Sequence, residues 1–200
     1  MSLLAETPLR RPDVESFKNH IGGEWIPASS GEWLDNINPA DTNDVVGRFP
    51  ASTSKDAEVA VRAAAAAFPA WRKTSISARA KILNKAADYL EANAENFAVE
   101  MTREQGKPLN LAKDEILRSA QTLRFYAVEG QSFAGEVFPQ DDAGMTVYTE
   151  REPLGVVTVI TPWNFPVSIP ARKIAPALIT GNTVVSVSYT HLTLPTILRV

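Results

Sequence analysis

Cysteine is absent from all 200 residues, and histidine occurs only at His20 and His191. The sequence therefore excludes disulfides, thiolate zinc sites and a cysteine nucleophile within these residues, and two imidazoles are too few for a histidine metal cluster, so we expect no metal site. An excess of positive charge is also missing, because 20 Lys and Arg stand against 23 Asp and Glu, for a net charge of -3. A nucleic-acid partner would need a basic face and is not expected.

Long apolar runs are missing as well. The longest, Ala63–Ala70 and Val156–Ile160, are far short of the roughly 18 residues that a membrane-spanning helix requires, so we expect no membrane partner. Leu3, Leu4 and Ala5 are too few for a signal-peptide core, and a cytoplasmic location is expected. The residues that are present suffice for a folded core, because 44% are hydrophobic and 22% are charged.

Four amphipathic helices are predicted between residues 53 and 130, from apolar residues at three- and four-residue spacing. Thr53 with Asp56 predicts a capping box at the start of the first helix, and Pro69 is expected to end that helix. Ser77 is expected to cap the second helix. The third and fourth helices are predicted at Asn93–Gln105 and Leu109–Glu129.

A projecting β-hairpin is predicted at about residues 132–152, because the pattern there changes to period two. Its strands, Phe133–Pro139 and Met145–Glu152, flank a loop at Asp141–Gly144. The alternation predicts a half-buried second strand. Such a hairpin is either a simple sheet edge or an arm that docks a partner.

A βαβ unit follows, which predicts an α/β fold. Gly155–Thr161 is almost continuously apolar, as is typical of a parallel strand covered on both faces. The loop Pro162–Pro166 leads into a helix at Val167–Ile179, and a second strand begins over Asn182–Val185. No glycine-rich nucleotide signature is present, so a nucleotide cannot be argued from that pattern.

The loop Pro162–Pro166 is the candidate site, because ligands of open parallel sheets bind beyond the carboxyl ends of the strands. Two prolines fix its backbone, and the Asn164 carboxamide is suited to donate a hydrogen bond to an anionic oxygen. The alternative is that Asn164 shapes the loop and Trp163 fills the core.

A set of short motifs resembles the NAD(P)-dependent aldehyde dehydrogenases, and the resemblance covers Phe17 to Val185. In the second half of the chain these motifs are Arg151–Val157, Ile160–Pro166, Lys173–Leu178 and Gly181–Val185. Upstream they are Ile21–Trp25, Asn38–Ala40, Ala67–Trp71 and Glu104–Pro108.

The resemblance implies an α/β fold that is the N-terminal part of a Rossmann-like cofactor-binding domain, truncated here. It also implies a small-molecule aldehyde substrate oxidised to a carboxylate, NAD or NADP as the cofactor, and a homo-oligomeric full-length form, dimer or tetramer. Asn164 matches the side chain that stabilises the oxyanion formed when a cysteine thiolate attacks the aldehyde. Ile160, Thr161, Pro162 and Trp163 match the loop that lines the nicotinamide side of the cofactor cleft.

The sequence departs from the family after Val185. The segment Ser186–Val200 lacks the expected lysine-proline segment and resembles translated adaptor or vector sequence; a natural divergent ending is the alternative. We therefore expect a flexible arm at 1–16, a partial cofactor-binding domain at 17–185, and an artefactual, poorly packed tail at 186–200. The catalytic cysteine and glutamate would lie beyond it, so this fragment alone is expected to be inactive.

Two questions stay open at this point. The missing cysteine also supports a non-catalytic binding or structural module derived from the cofactor domain, although the intact Pro162–Pro166 loop argues against it. Lys173 matches a lysine near the active-site channel, or is a solvated or ion-paired helix residue.

The segments Pro170–Lys173 and Glu136–Pro139 resemble those of family members that act on semialdehydes of dicarboxylic acids.

Overall fold

The computed structural model describes residues 14–189, and these form a mixed α/β fold. The helices are Ser54–Trp71 (α1), Ile76–Ala92 (α2), Ala94–Gln105 (α3), Leu109–Glu129 (α4) and Ser168–Ile179 (α5). The strands are Asn19–Ile21 (β1), Glu24–Ile26 (β2), Trp33–Ile37 (β3), Val45–Pro50 (β4), Val137–Phe138 (β5), Val147–Tyr148 (β6), Val156–Pro162 (β7) and Thr183–Tyr189 (β8). The predicted fold class, with four helices, a hairpin and a βαβ unit, is confirmed.

Helix α4 forms the centre of the core and contacts α2, α3 and α5. Alanines dominate its buried contacts with α2 and α5, which lets the helices approach closely. A second buried cluster joins α3 to α4 around Met101 and Ile116. The guanidinium of Arg79 is buried at the edge of this core, where its Nε donates to the Ile179 carbonyl over 2.9 Å and so ties α2 to the end of α5.

The capping box of α1 is confirmed. Thr53 is the N-cap, its hydroxyl accepts from the Lys55 amide, and the Asp56 carboxylate accepts from the Thr53 amide over 2.7 Å. The predicted end at Pro69 is wrong, because α1 continues to Trp71. Proline removes one intrahelical hydrogen bond, and here that loss falls in the last turn, where the helix continues despite it.

The predicted cap of α2 is wrong by two residues. Ser75 has extended backbone dihedrals and its hydroxyl accepts from the Ala78 amide over 3.3 Å, whereas Ser77 lies inside the first turn. The bounds of α4 are as predicted, and α3 begins one residue after the predicted start.

The hairpin is confirmed, with Val137 opposite Tyr148 and Phe138 opposite Val147. Its strands are two residues long, and the Asp142 carboxylate accepts from the Gly144 amide in the turn. The expectation of a half-buried strand is wrong, because both strands are exposed throughout. No described element covers either face of the hairpin.

Strands β7 and β8 are parallel, so the predicted βαβ unit is confirmed. The expectation that β7 is covered on both faces is wrong. Alternate residues Val159 and Thr161 are buried, whereas Ile160 between them is 52% exposed. Within residues 14–189, α1 and α5 contact this sheet, and Thr158 and Ile160 on one face of β7 stay exposed.

The ends of the described chain differ from the predicted regions. The Phe17 amide donates to the Arg48 carbonyl and the Arg48 amide to the Glu15 carbonyl, so residues 15 and 16 of the predicted flexible arm are paired with β4. Strand β8 continues through the first residues of the predicted tail to Tyr189. The remaining parts of the arm and tail, 1–13 and 190–200, lie outside the described residues.

Candidate functional site

The loop that carries Asn164 lies at the carboxyl end of β7. The strand ends at Pro162 and α5 begins at Ser168. In the register of the parallel pair, Pro162 is opposite Tyr189, so the loop leaves the edge at which β8 also ends. Ligands of open parallel sheets bind at this edge.

A buried ion pair lies beneath this loop. Glu115 on α4 is 2% exposed and Lys107, just before α4, is 14% exposed, and the Lys107 ammonium donates to the Glu115 carboxylate. The other oxygen of Glu115 accepts from the amides of Val167 and Ser168, each over 3.1 Å. Glu115 therefore caps the start of α5, which has no side-chain cap of its own.

The loop backbone is held at two further atoms. Lys107 Nζ donates to the Asn164 carbonyl over 2.9 Å, and Gln105 Nε2 donates to the Trp163 carbonyl over 2.8 Å. The Lys107 ammonium also lies 4.3 Å from the centre of the Phe165 ring, within cation–π range. Helix α4 and the segment before it thus fix the main chain of the loop on one side.

Asn164 itself is exposed, and its carboxamide has no hydrogen-bond partner among residues 14–189. Its main chain is fixed while both amide hydrogens remain available. A donor on a backbone already in position is the arrangement that stabilises developing negative charge on an oxygen. The alternative role of Asn164 as a loop-shaping residue has no support from its side chain, which bonds to nothing in the loop.

The four predicted cofactor-lining residues differ in what they present. Ile160 is 52% exposed and Trp163 is 39% exposed, so both offer apolar surface beside the loop. Pro162 is half-buried. Thr161 is 1% exposed, and its hydroxyl is buried without a hydrogen-bond partner, so its side chain faces the core. The alternative that Trp163 fills the core is wrong, because the ring is partly exposed.

Helices α4 and α5 form an open groove of about 440 Å³ with cationic and aromatic walls. Arg118 and Arg172 contribute the charges, and Phe125 and Tyr126 contribute the rings. Lys173 is exposed on α5 and forms no ion pair within residues 14–189.

Residues 14–189 contain no group of three or more His, Asp or Glu side chains arranged to hold a metal ion. No helix of the same part of the chain has the length and apolarity needed to cross a membrane.

Sequence reasoning missed the ion pair beneath the loop. Gln105 and Lys107 lie within the family motif Glu104–Pro108, and Glu115 lies within the fourth predicted helix, where no role was predicted for it. The available signal was the position of Glu115, which lies in the buried stripe of α4 between Ala112 and Ser119. A carboxylate on a buried helix face requires a partner, and Lys107 supplies it.

Comparison with known proteins gives a consistent result. The model described as the aldehyde dehydrogenase family matches residues 25–196, which extends past Val185, where we expected the resemblance to end. The alpha-ketoglutaric semialdehyde dehydrogenase of Bacillus subtilis (strain 168) is 49% identical over 173 residues, which cover 86% of this chain and 36% of that protein. The succinate-semialdehyde dehydrogenase [NADP(+)] of Escherichia coli (strain K12) is 39% identical over 165 residues, 82% of this chain and 34% of that protein.

Solved structures agree with this. The NAD-dependent aldehyde dehydrogenase from Sinorhizobium meliloti superimposes with a TM-score of 0.84 at 32% identity, covering 88% of this chain and 35% of that one. The chain spans about a third of the length of the curated relatives it matches.

Proposed function

This chain belongs to the aldehyde dehydrogenase family, and on that basis we propose that it supplies the oxyanion donor and part of the cofactor cleft of an enzyme that oxidises an aldehyde to a carboxylate with NAD or NADP. The observation that carries the proposal is the Asn164 carboxamide, exposed and without a partner on a loop whose main chain is fixed. The 200 residues contain no cysteine, so the proposal assigns the nucleophile to none of them.

Asn164 acts on the carbonyl oxygen of the aldehyde. When a nucleophile adds to the carbonyl carbon, negative charge develops on that oxygen, and the amide hydrogens of Asn164 donate to it. Because Lys107 and Gln105 already hold the loop backbone, little reorganisation is needed as the charge appears. One such donor is worth roughly 10²–10³ in rate.

The exposed residues beside the loop fit a nicotinamide cofactor. Ile160 and Trp163 present the apolar surface against which a flat ring packs, and the main chain of Thr161 and Pro162 continues that wall. The buried Thr161 hydroxyl takes no part. When bound, NAD or NADP supplies the acceptor for the hydride that leaves the aldehyde carbon.

We propose a dicarboxylic semialdehyde as the substrate. Arg118 and Arg172 line the open groove between α4 and α5, and two guanidinium groups suit a carboxylate. Two of the similar proteins described above are named as semialdehyde dehydrogenases.

The experiment uses a chimera in which residues 14–189 replace the matching segment of the Bacillus subtilis relative, which is 49% identical. We expect the chimera to reduce NAD or NADP when a semialdehyde is added. The 200-residue chain alone should reduce neither cofactor. Arg172→Gln should raise the KM for a semialdehyde and leave that for a neutral aldehyde unchanged, with Lys113→Gln on the exposed face of α4 as the control. A correctly folded chimera without aldehyde-dependent reduction contradicts the proposal.

The assembly is also proposed. A homo-oligomer, dimer or tetramer, is supported by the hairpin, whose apolar residues Val137, Phe138 and Val147 are exposed. Sedimentation of the chimera tests this, and Val137→Lys should weaken the association. A cytoplasmic location remains a prediction of the sequence.

A further inference from the structure

We propose that Glu115 and Lys107 are positioning residues for the reaction, and that they act by holding the main chain that carries the Asn164 carboxamide. The inference rests on the proposed function, because Asn164 has to be the oxyanion donor for its position to matter. Neither side chain is proposed to touch the substrate.

Glu115 fixes the exit of the loop. Its carboxylate accepts from two consecutive amides, Val167 and Ser168, each over 3.1 Å. These amides belong to the start of α5, where the helix dipole favours a negative group. Val167 at the N-cap has no capping oxygen in its side chain. The Glu115 carboxylate, which is 52 residues away in the sequence, therefore caps α5 in its place.

Lys107 joins that cap to the donor residue. Its ammonium compensates the charge of the buried Glu115 and also donates to the Asn164 carbonyl over 2.9 Å. The same ammonium lies 4.3 Å from the Phe165 ring centre. One cation therefore links the residue that bears the donor, the residue after it and the carboxylate that caps α5.

Stability alone does not require this pair. A buried ion pair is on average no more stabilising than apolar residues of similar volume, because both charges lose their hydration. What apolar residues cannot do is bond to the Asn164 carbonyl and to two amides at once. All of these contacts are to main-chain atoms, so they set the direction of the Asn164 side chain and leave its amide hydrogens free.

The first test is steady-state kinetics of the chimera. Glu115→Gln keeps the size of the side chain and loses its charge, and Lys107→Met keeps the stem and loses the ammonium. Each variant should lower kcat by about ten- to a hundredfold, because a misplacement of about 1 Å can lower the rate by about a hundredfold. The KM values for aldehyde and cofactor should change by less than about threefold. Lys107→Arg should restore part of kcat. Lys113→Met, which breaks the exposed pair of Lys113 with Glu95, is the matched control on the same helix and should leave kcat unchanged.

The second test separates positioning from a general structural role. In an Asn164→Ala background, Glu115→Gln should cause no further loss of kcat, because there is no carboxamide left to misplace. An equal loss in both backgrounds overturns the inference. If Asn164→Ala alone leaves kcat unchanged, the proposed function fails instead, and the two failures are distinguishable.

A third measurement needs no turnover. In the 200-residue chain, Glu115→Gln should speed hydrogen exchange of the Val167 and Ser168 amides by about tenfold or more, with the Ala120 amide in the middle of α4 unchanged. Exchange at Val167 and Ser168 equal to that of the wild type overturns the inference, whether or not the chimera folds.

Discussion

Replacing Asn164 with alanine should separate catalysis from folding. The carboxamide is exposed and has no hydrogen-bond partner within residues 14–189, so its removal breaks no hydrogen bond among these residues. We expect the free energy of unfolding to change by less than about 0.5 kcal/mol, as for other exposed substitutions. Under the proposed function the same group donates to the oxyanion in the transition state, so its loss should lower kcat by roughly 10²–10³, equivalent to about 3–4 kcal/mol.

Cofactor affinity should respond much less. Ile160 and Trp163 keep their exposed surfaces in the variant, and the backbone bonds of Gln105 and Lys107 do not involve the Asn164 side chain. Asn164→Asp should be at least as damaging to kcat, because a carboxylate replaces the donor and repels the developing charge.

The assay combines three measurements on the chimera with each variant. Steady-state kinetics gives kcat, equilibrium titration with the cofactor gives cofactor affinity, and thermal unfolding reports the fold. If Asn164→Ala keeps kcat within about threefold of the wild type and unfolds normally, Asn164 is not the oxyanion donor and the reasoning is refuted.

Three further predictions concern stability and can be checked on the chain itself. The backbone hydrogen bond from Thr53, with those from Ser29, lowers the pKa of Asp56 from its usual 3.8 to about 2. The stability that Asp56 contributes is therefore present above about pH 4 and is lost as the pH falls toward 2. In urea unfolding Asp56→Asn should be less stable than the wild type at neutral pH, and the difference should shrink between about pH 4 and about pH 2; a constant difference would contradict the prediction. Arg79→Met removes the charged donor to the Ile179 carbonyl and should lower the free energy of unfolding by about 1.5–3 kcal/mol, so a loss under about 0.5 kcal/mol in urea would exclude the role given to Arg79. Gly130→Ala would place a Cβ 2.1 Å from Ile179 Cγ1, and the overpacking should cost about 1–3 kcal/mol; an unchanged Tm would show that α4 and α5 can separate without cost.

Local signals predicted the helices well. The bounds of α4 were set by Pro108 before it and Gly130 after it, with apolar spacing between them, and the structure has the same bounds. The capping box at Thr53 is another local pattern, contained within four residues. The errors at Pro69 and Ser77 are local as well, and they arose because a proline in a last turn and a serine in a first turn are both tolerated inside helices.

Burial was predicted less well, because it depends on which elements lie against a strand. The apolar run of β7 indicates two covered faces, and the alternation of β6 indicates one. Within the described residues, Thr158 and Ile160 on one face of β7 are exposed, and so are both residues of β6. The residues of a strand do not indicate which other segments will pack against it. Sequence periodicity alone therefore could not predict how many faces of β7 and β6 are buried.

The site was predicted in part. The resemblance proposes Asn164 and the apolar residues beside it as site residues, and these assignments stay predictions. It did not identify the contacts that hold the loop, because Glu115 and Val167 are separated by 52 residues and no short motif contains both.

These sequence separations also bear on the order in which the chain folds. The bonds that hold the loop join residues 52 to 58 positions apart, from Gln105, Lys107 and Glu115 to Trp163, Asn164, Val167 and Ser168. Closing a loop of that length costs conformational entropy before any of these bonds can form, whereas α3 and α4 require only contacts between neighbours in the chain. We therefore expect the helices to form early and the loop to acquire its shape later, after α5 has docked on α4. On that order, a partly folded molecule would hold its helical core before the carboxamide of Asn164 has a fixed direction, and the proposed oxyanion site would form late in folding.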